Sequence, residues 1–183
     1  SGKSCLAARL AAGMASFGYS IMTVCGSFCN PITAARLIDA SADHFSAMGR
    51  EEAAKPLKDG SISVHKRLEG LLEALKGSRT LLVWDGLTLE EKSGKISDPD
   101  LAEFYLQMNR GLSSSRAIIT SAALPADAPT LPARAWQWKL AGLGRAAFVR
   151  SLLSEEAVTE GYRRGRISFA QLAEHHAAAS GLP

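Results

Sequence analysis

Long apolar runs are missing from this sequence. No run of roughly 18 apolar residues passes without a charge, so no segment is a candidate for a membrane-spanning helix. A secretory leader is missing too, because Lys3 and Arg9 interrupt the first apolar stretch. Cysteine is sparse: Cys5, Cys25 and Cys29 are odd in number, and the single C-x₃-C spacing has no second pair to complete a zinc site. This excludes a disulfide framework and suits reduced thiols in a cytoplasmic setting. Charge of one sign is nearly absent, at a net +3, which leaves no strong signal for nucleic acid or an anionic membrane. The four histidines are scattered. His175 and His176 are adjacent on an expected helix and so diverge by about 100°. There is no internal repeat, no low-complexity tract and no initiator Met, and the chain opens inside a motif. It reads as a segment of a longer protein.

What is present suits an ordinary globular domain. The 183 residues are 46% hydrophobic and 21% charged, enough to bury a core. Residues 3–17 read as a helix with Leu6, Leu10, Met14 and Phe17 as its apolar stripe. Tyr19–Phe28 reads as a strand and Pro31 as the start of a second helix. Residues 39–61 read as short helices and loop. Residues 62–76 form a clearer helix, with Leu68, Leu71, Leu72 and Leu75 at helical spacing and Gly77 as cap. Leu81 to Trp84 is a continuous apolar run closed by Asp85, the pattern of a central parallel strand buried on both faces. A loop over 87–98, a helix over 99–112, a strand over Ser115–Ser121 and a loop over 123–133 follow. Ala135–Leu140 reads as a last strand. A helix then begins near Gly144, residues 154–167 form a polar link, and a final helix runs over about 168–179. Alternation of this kind predicts an α/β fold with a mostly parallel sheet covered on both faces.

The chemistry-bearing residues sit at the expected ends of these elements. Gly2-Lys3-Ser4 matches the close of the phosphate-binding loop G-x-x-x-x-G-K-[ST]. There the backbone wraps phosphates, the Lys reaches the outer ones and the hydroxyl meets Mg²⁺. The loop's first glycine and the strand before it are not in the sequence. Alone, the triplet also fits a capped helix start with a surface Lys. Asp85 ends a buried strand, where a carboxylate needs a partner. A Mg²⁺ shared with Ser4 supplies one, and a helix cap or loop hydrogen bond is the alternative. Gly86 follows, so no second acid adjoins it. Glu90 and Glu91 are candidates for polarising water or plain solvated charges. Thr120, ending Ile118-Ile119-Thr120-Ser121, stands to touch a γ-phosphate or simply to meet solvent. Arg163, Arg164 and Arg166 read as a solvated basic cluster.

Together these residues resemble the signal-transduction ATPases with numerous domains, within them the NB-ARC-like group. The resemblance rests on Gly2-Lys3-Ser4, on Leu81-Leu82-Val83-Trp84-Asp85-Gly86-Leu87, and on Arg116-Ala117-Ile118-Ile119-Thr120-Ser121. It also rests on Trp138–Leu143 with the helix after it, and on Gly181-Leu182-Pro183. It implies a three-layer P-loop NTPase sandwich whose first strand lies outside this segment. Residues 1–142 would be the NTPase core and 143–183 a small helical subdomain. It implies ATP or ADP and Mg²⁺ as cofactors, with Gly2, Lys3, Ser4, Cys5, Thr120 and Pro183 against nucleotide. Ser4 and Asp85 would hold the metal, with Asp85 the catalytic acid. The family usually carries an Arg after the third strand as a γ-phosphate sensor; here that position is Ala122, which puts hydrolysis in doubt.

The expected function is therefore a cytoplasmic regulatory ATP/ADP switch with slow Mg²⁺-dependent hydrolysis. Self-association of the full-length protein, and effector and sensor domains elsewhere in it, belong to the same expectation. The alternatives are a nonhydrolysing scaffold and, further off, a P-loop kinase with Arg163–Arg166 as its lid.

Overall fold

A computed structural model describes residues 2–126, 137, 139–140, 149–150, 152–153, 155–171 and 174. The chain forms two compact units, residues 6–136 and residues 1–5 with 137–183. The larger is α/β. Strands β1 (Ser20–Cys25), β2 (Thr80–Leu87) and β3 (Arg116–Ser121) make a small open parallel sheet in the order β1-β2-β3. Pairing runs Met22 to Leu82 and Val83 to Ile118, with an irregularity between Trp84 and Leu87. Helices α1 (Gly2–Ser16), α2 (Ala34–Ala47), α3 (Glu51–Lys58), α4 (Val64–Lys76) and α5 (Pro99–Asn109) connect and cover the strands.

The best-marked elements form where the sequence carries both a start signal and a periodic face. Ser63 caps α4, its hydroxyl accepting from Lys66 N at 3.4 Å, and Gly77 closes the helix by donating to Glu73 O at 3.0 Å. Between them Leu68, Leu71, Leu72 and Leu75 are all buried. Each contributes on the order of 1.5–3 kcal/mol of apolar burial. Asp98 caps α5 by accepting from Leu101 N at 3.0 Å, and its second oxygen accepts from Ala34 N at 2.8 Å. One carboxylate thereby serves the starts of both α2 and α5. The start of α2 is a correction: Pro31 does not open it. Thr33 is the N-cap, accepting from Arg36 N at 3.3 Å, and the helix begins at Ala34.

Alternation along β2 separates two apolar layers. Leu82 and Trp84 pack with Met22, Val24, Phe45, Leu71 and Phe104 on the face covered by α2, α3, α4 and α5. Leu81 and Val83 pack with Ala7 and Ala11 of α1 on the other face. The expected stripe holds in part: Met14 packs against this cluster and Leu6 is half-buried, but Leu10 is 39% and Phe17 70% exposed. Ala7 and Ala11, one turn apart, are the α1 residues buried in this layer. β1 is also shorter than Tyr19–Phe28, because a Ser27–Asn30 turn ends it.

At the amino end of the sheet the hydroxyls satisfy one another. Ser115 is 1% exposed and accepts from Thr80 N at 3.0 Å, while its own hydroxyl reaches Leu75 O at 2.6 Å. Ser20, Ser78 and Thr80 continue the chain, and His44 Nε2 lies 3.3 Å from Ser20 Oγ.

In the smaller unit, residues 154–167 are not the expected polar link but contain α6 (Glu156–Arg163). None of its residues is buried. It is held by Thr159 Oγ1 donating to Leu153 O and by an i,i+4 pair of Glu160 with Arg164. Val149, Arg150, Leu152 and Leu153 are helical, as expected after Gly144. Of the strand expected over Ala135–Leu140, Gln137, Lys139 and Leu140 are not in a strand and the other positions lie outside the described residues, as do Gly181-Leu182-Pro183 and most of the last helix. No helix among the described residues is long and apolar enough to cross a membrane.

Candidate functional site

Ligands in open parallel sheets bind beyond the carboxyl ends of the strands. That edge here is formed by Cys25-Gly26, Asp85-Gly86 and Thr120-Ser121. The β2 run Thr80–Trp84 is wholly buried, and burial relaxes at Asp85 and Gly86, which are half-buried. The strand therefore carries a half-buried carboxylate after five buried residues, before burial resumes at Leu87. By alternation Asp85 falls on the face that carries Leu81 and Val83, the face covered by α1.

The β2–β3 register brings Thr120 beside it. Thr120 Oγ1 donates to Asp85 Oδ1 at 2.6 Å and accepts from Gly86 N at 2.8 Å. Hydroxyl-to-carboxylate bonds of this length belong to the strong, charge-assisted class. Gly86 turns the chain at φ +84° and lies against Gly26: a Cβ on Gly86 would stand 2.5 Å from Gly26 O. Gly26 N donates to Asp85 O at 2.7 Å, so the two strand ends are locked to each other.

Arg36 steadies the neighbouring turn. Its guanidinium donates to Cys25 O at 2.9 Å, Asn30 O at 2.9 Å and Pro31 O at 2.7 Å. The turn so braced carries Phe28, 84% exposed, and an exposed Cys29. Sequence reading gives Gly26 and Arg36 no part and takes Gly86 as the absence of a second acid and as one position of the Leu81–Leu87 motif. The Asp-Gly step after a buried run was the one signal that a tight turn had to follow there.

The other expected residues fall as follows. Gly2, Lys3, Ser4 and Cys5 form the first turn of α1 and group with the smaller unit, whereas Asp85 and Thr120 belong to the larger. Gly2, Lys3 and Cys5 are exposed and Ser4 is half-buried. Pro183 lies outside the described residues. Glu90 accepts from Ser93 Oγ at 2.6 Å within its own loop, and Glu91 is exposed. Arg163, Arg164 and Arg166 are exposed, and Ala122 is an exposed residue just past β3.

No group of three or more His, Cys, Asp or Glu side chains is placed to hold a metal among the described residues. That suits a closed transition-metal site poorly. Mg²⁺ has different needs: one or two protein oxygens, with phosphate and water completing the shell. A half-buried carboxylate whose one oxygen is already oriented by a hydroxyl fits that demand. The chain matches no family model, no curated protein and no solved structure.

Proposed function

We propose that this chain is the nucleotide-binding part of a regulatory ATP/ADP switch in a larger protein, hydrolysing ATP slowly with Mg²⁺. The observation that carries the reading is Asp85: a carboxylate at the carboxyl end of the central strand, on the α1 face, with its Oδ1 held by Thr120. The helix on that face opens with Gly2-Lys3-Ser4. Backbone N–H groups at a helix start favour anions.

Topology supports the same reading. The crossovers from β1 to β2 and β2 to β3 run on one face, and α1 lies on the other. For right-handed connections, a strand leading into α1 would have to lie beside β3. That is the arrangement a P-loop sandwich requires of its first strand.

In this reading the Lys3 ammonium balances phosphate charge. The Ser4 hydroxyl and the Asp85 carboxylate would be the residues to hold Mg²⁺, and the ion would supply charge to screen the phosphates. Pairing Asp85 with a cation also offsets the cost of ending a buried strand on a charge. The nucleotide state would govern self-association and signalling through domains elsewhere in the protein. The test is the affinity of the intact protein for ATP and ADP with Lys3→Ala and Asp85→Ala. Both substitutions are expected to weaken Mg²⁺–ATP binding by at least about tenfold. Unchanged affinity in both would sink the proposal.

A nonhydrolysing scaffold is the second reading. It is favoured by Ala122, which offers no cation beyond the end of β3. Single-turnover hydrolysis by the full-length protein separates the two: a measurable rate removes the scaffold.

A further inference from the structure

Thr120 is one of few buried polar side chains among the described residues, at 9% exposed. Its hydroxyl has one proton to give. That proton goes to Asp85 Oδ1 at 2.6 Å, and Thr120 Oγ1 itself accepts from Gly86 N at 2.8 Å. One side chain therefore ties the carboxylate and the turn after it into a single unit. Thr is stiff at χ1, so the hydroxyl is held in place by its own backbone. A hydroxyl whose proton is committed to a carboxylate does not have it to donate to a phosphate or to an attacking water.

We propose that Thr120 is a positioning residue: it orients the Asp85 carboxylate and the Asp85–Gly86 turn for a divalent cation and does not itself touch nucleotide. This rests on the reading of Asp85 as a Mg²⁺ ligand. It departs from the expectation that Thr120 meets a γ-phosphate. Partners that orient a metal ligand typically change metal affinity by about 10–100-fold when removed. A residue that contacts phosphate would instead weaken nucleotide with or without metal.

The experiment compares wild type, Thr120→Val and Thr120→Ser in the intact protein. Valine keeps the shape and loses the hydroxyl; serine keeps the hydroxyl. The first readout is ATP binding titrated with Mg²⁺, alongside ATP binding in chelator. Thr120→Val is expected to raise the Mg²⁺ needed for half-maximal binding about tenfold. Metal-free ATP affinity stays unchanged, and Thr120→Ser restores the wild-type Mg²⁺ response. An equal loss with and without metal, or no loss at all, overturns the proposal. The second readout is amide hydrogen exchange at Gly86 without any ligand. Exchange quickens in Thr120→Val and recovers in Thr120→Ser; an unaltered rate in Thr120→Val also overturns the proposal. Wild-type protein that binds no Mg²⁺–ATP sinks the nucleotide reading and the cation part of this proposal with it. The Gly86 exchange then decides by itself whether Thr120 holds the turn.

Discussion

Replacing Gly86 by alanine separates two costs that the carboxyl edge of the sheet imposes together. The first is conformational. Gly86 sits at φ +84°, and an L-residue with a Cβ in the left-handed region costs about 1–2 kcal/mol. The second is steric. The new Cβ would stand 2.5 Å from Gly26 O and 3.3 Å from Gly26 C. These are backbone atoms, fixed by the Gly26 N to Asp85 O bond of 2.7 Å, so they yield only if the strand ends part. Overpacking of this kind typically costs about 1–3 kcal/mol more. Gly18 is the internal control: it has φ +79°, and an added Cβ there meets nothing within 4 Å. Gly18→Ala therefore carries the first cost alone. For a chain of this size about 1 kcal/mol moves Tm by roughly 2–4 °C. Gly86→Ala is then expected to melt about 2–12 °C below Gly18→Ala by circular dichroism. Gly26→Ala supplies the converse, since its Cβ would stand 2.7 Å from Gly86 O with no left-handed φ to strain. Equal melting of Gly86→Ala and Gly18→Ala would refute the claim that the two strand ends are in forced contact.

Ser115→Ala leaves the Thr80 amide without its acceptor inside the core, and should cost about 1–3 kcal/mol in urea denaturation. A loss under about 0.5 kcal/mol would show that another group takes up the Thr80 proton. Burial first, and the Arg50 charge second, hold the His44 pKa below its ordinary 6.5. The unfolded chain then binds the proton more readily, so stability is complete above the ordinary value and falls as pH drops through it toward the folded value. His44→Gln should flatten that part of the Tm–pH curve, and an identical slope in the variant would remove His44 as its source. On α1, Ala11→Leu should cost about 1–3 kcal/mol by forcing the helix off the sheet. Leu10→Ala, at a position 39% exposed, should cost far less, and the reverse order in a melting experiment would put the α1 face back on the leucines.

Those α1 residues also show where reading the sequence runs out. Period and propensity depend on one segment at a time, and they locate α4, β2 and α5 because each carries its own periodic or continuous apolar signal between recognisable ends. Which face of an Ala-rich helix is buried depends on how near its partner lies, and nearness is not a property of the helix alone. The same holds for α6, none of whose residues is buried. It holds most of all for the site. Asp85 could be picked out as a strand-end acid, but its contact with Thr120 follows from the β2–β3 register, which sets Val83 opposite Ile118. No pattern within either strand encodes that register. Gly26 and Gly86 are a similar case: Gly26 falls inside the stretch read as strand and Gly86 just after the acid, and only pairing of β1 with β2 brings their backbones together.

Asp85 is the residue at which a structural and a chemical role give opposite results. If its task is to accept the Thr120 proton, an amide does nearly as well, since Asn keeps an oxygen for that bond. The difference between a charged and a neutral acceptor is about 1 kcal/mol. Relief from half-burying a charge offsets part of that loss. Asp85→Asn should therefore fold within about 1 kcal/mol of wild type, or somewhat better, as often follows when a site group is neutralised. A neutral amide is a poor replacement at a Mg²⁺ site, where the charge of the carboxylate is much of the attraction. Mg²⁺-dependent ATP binding should then fall by at least about tenfold in the same protein sample. Measured together, the two quantities separate the roles when they move apart. Stability kept and Mg²⁺–ATP binding lost marks a carboxylate that the fold tolerates for the sake of a ligand. Stability lost by about 2 kcal/mol or more with ATP binding intact would make Asp85 a brace for β3. The site would then have to be sought elsewhere along the sheet edge.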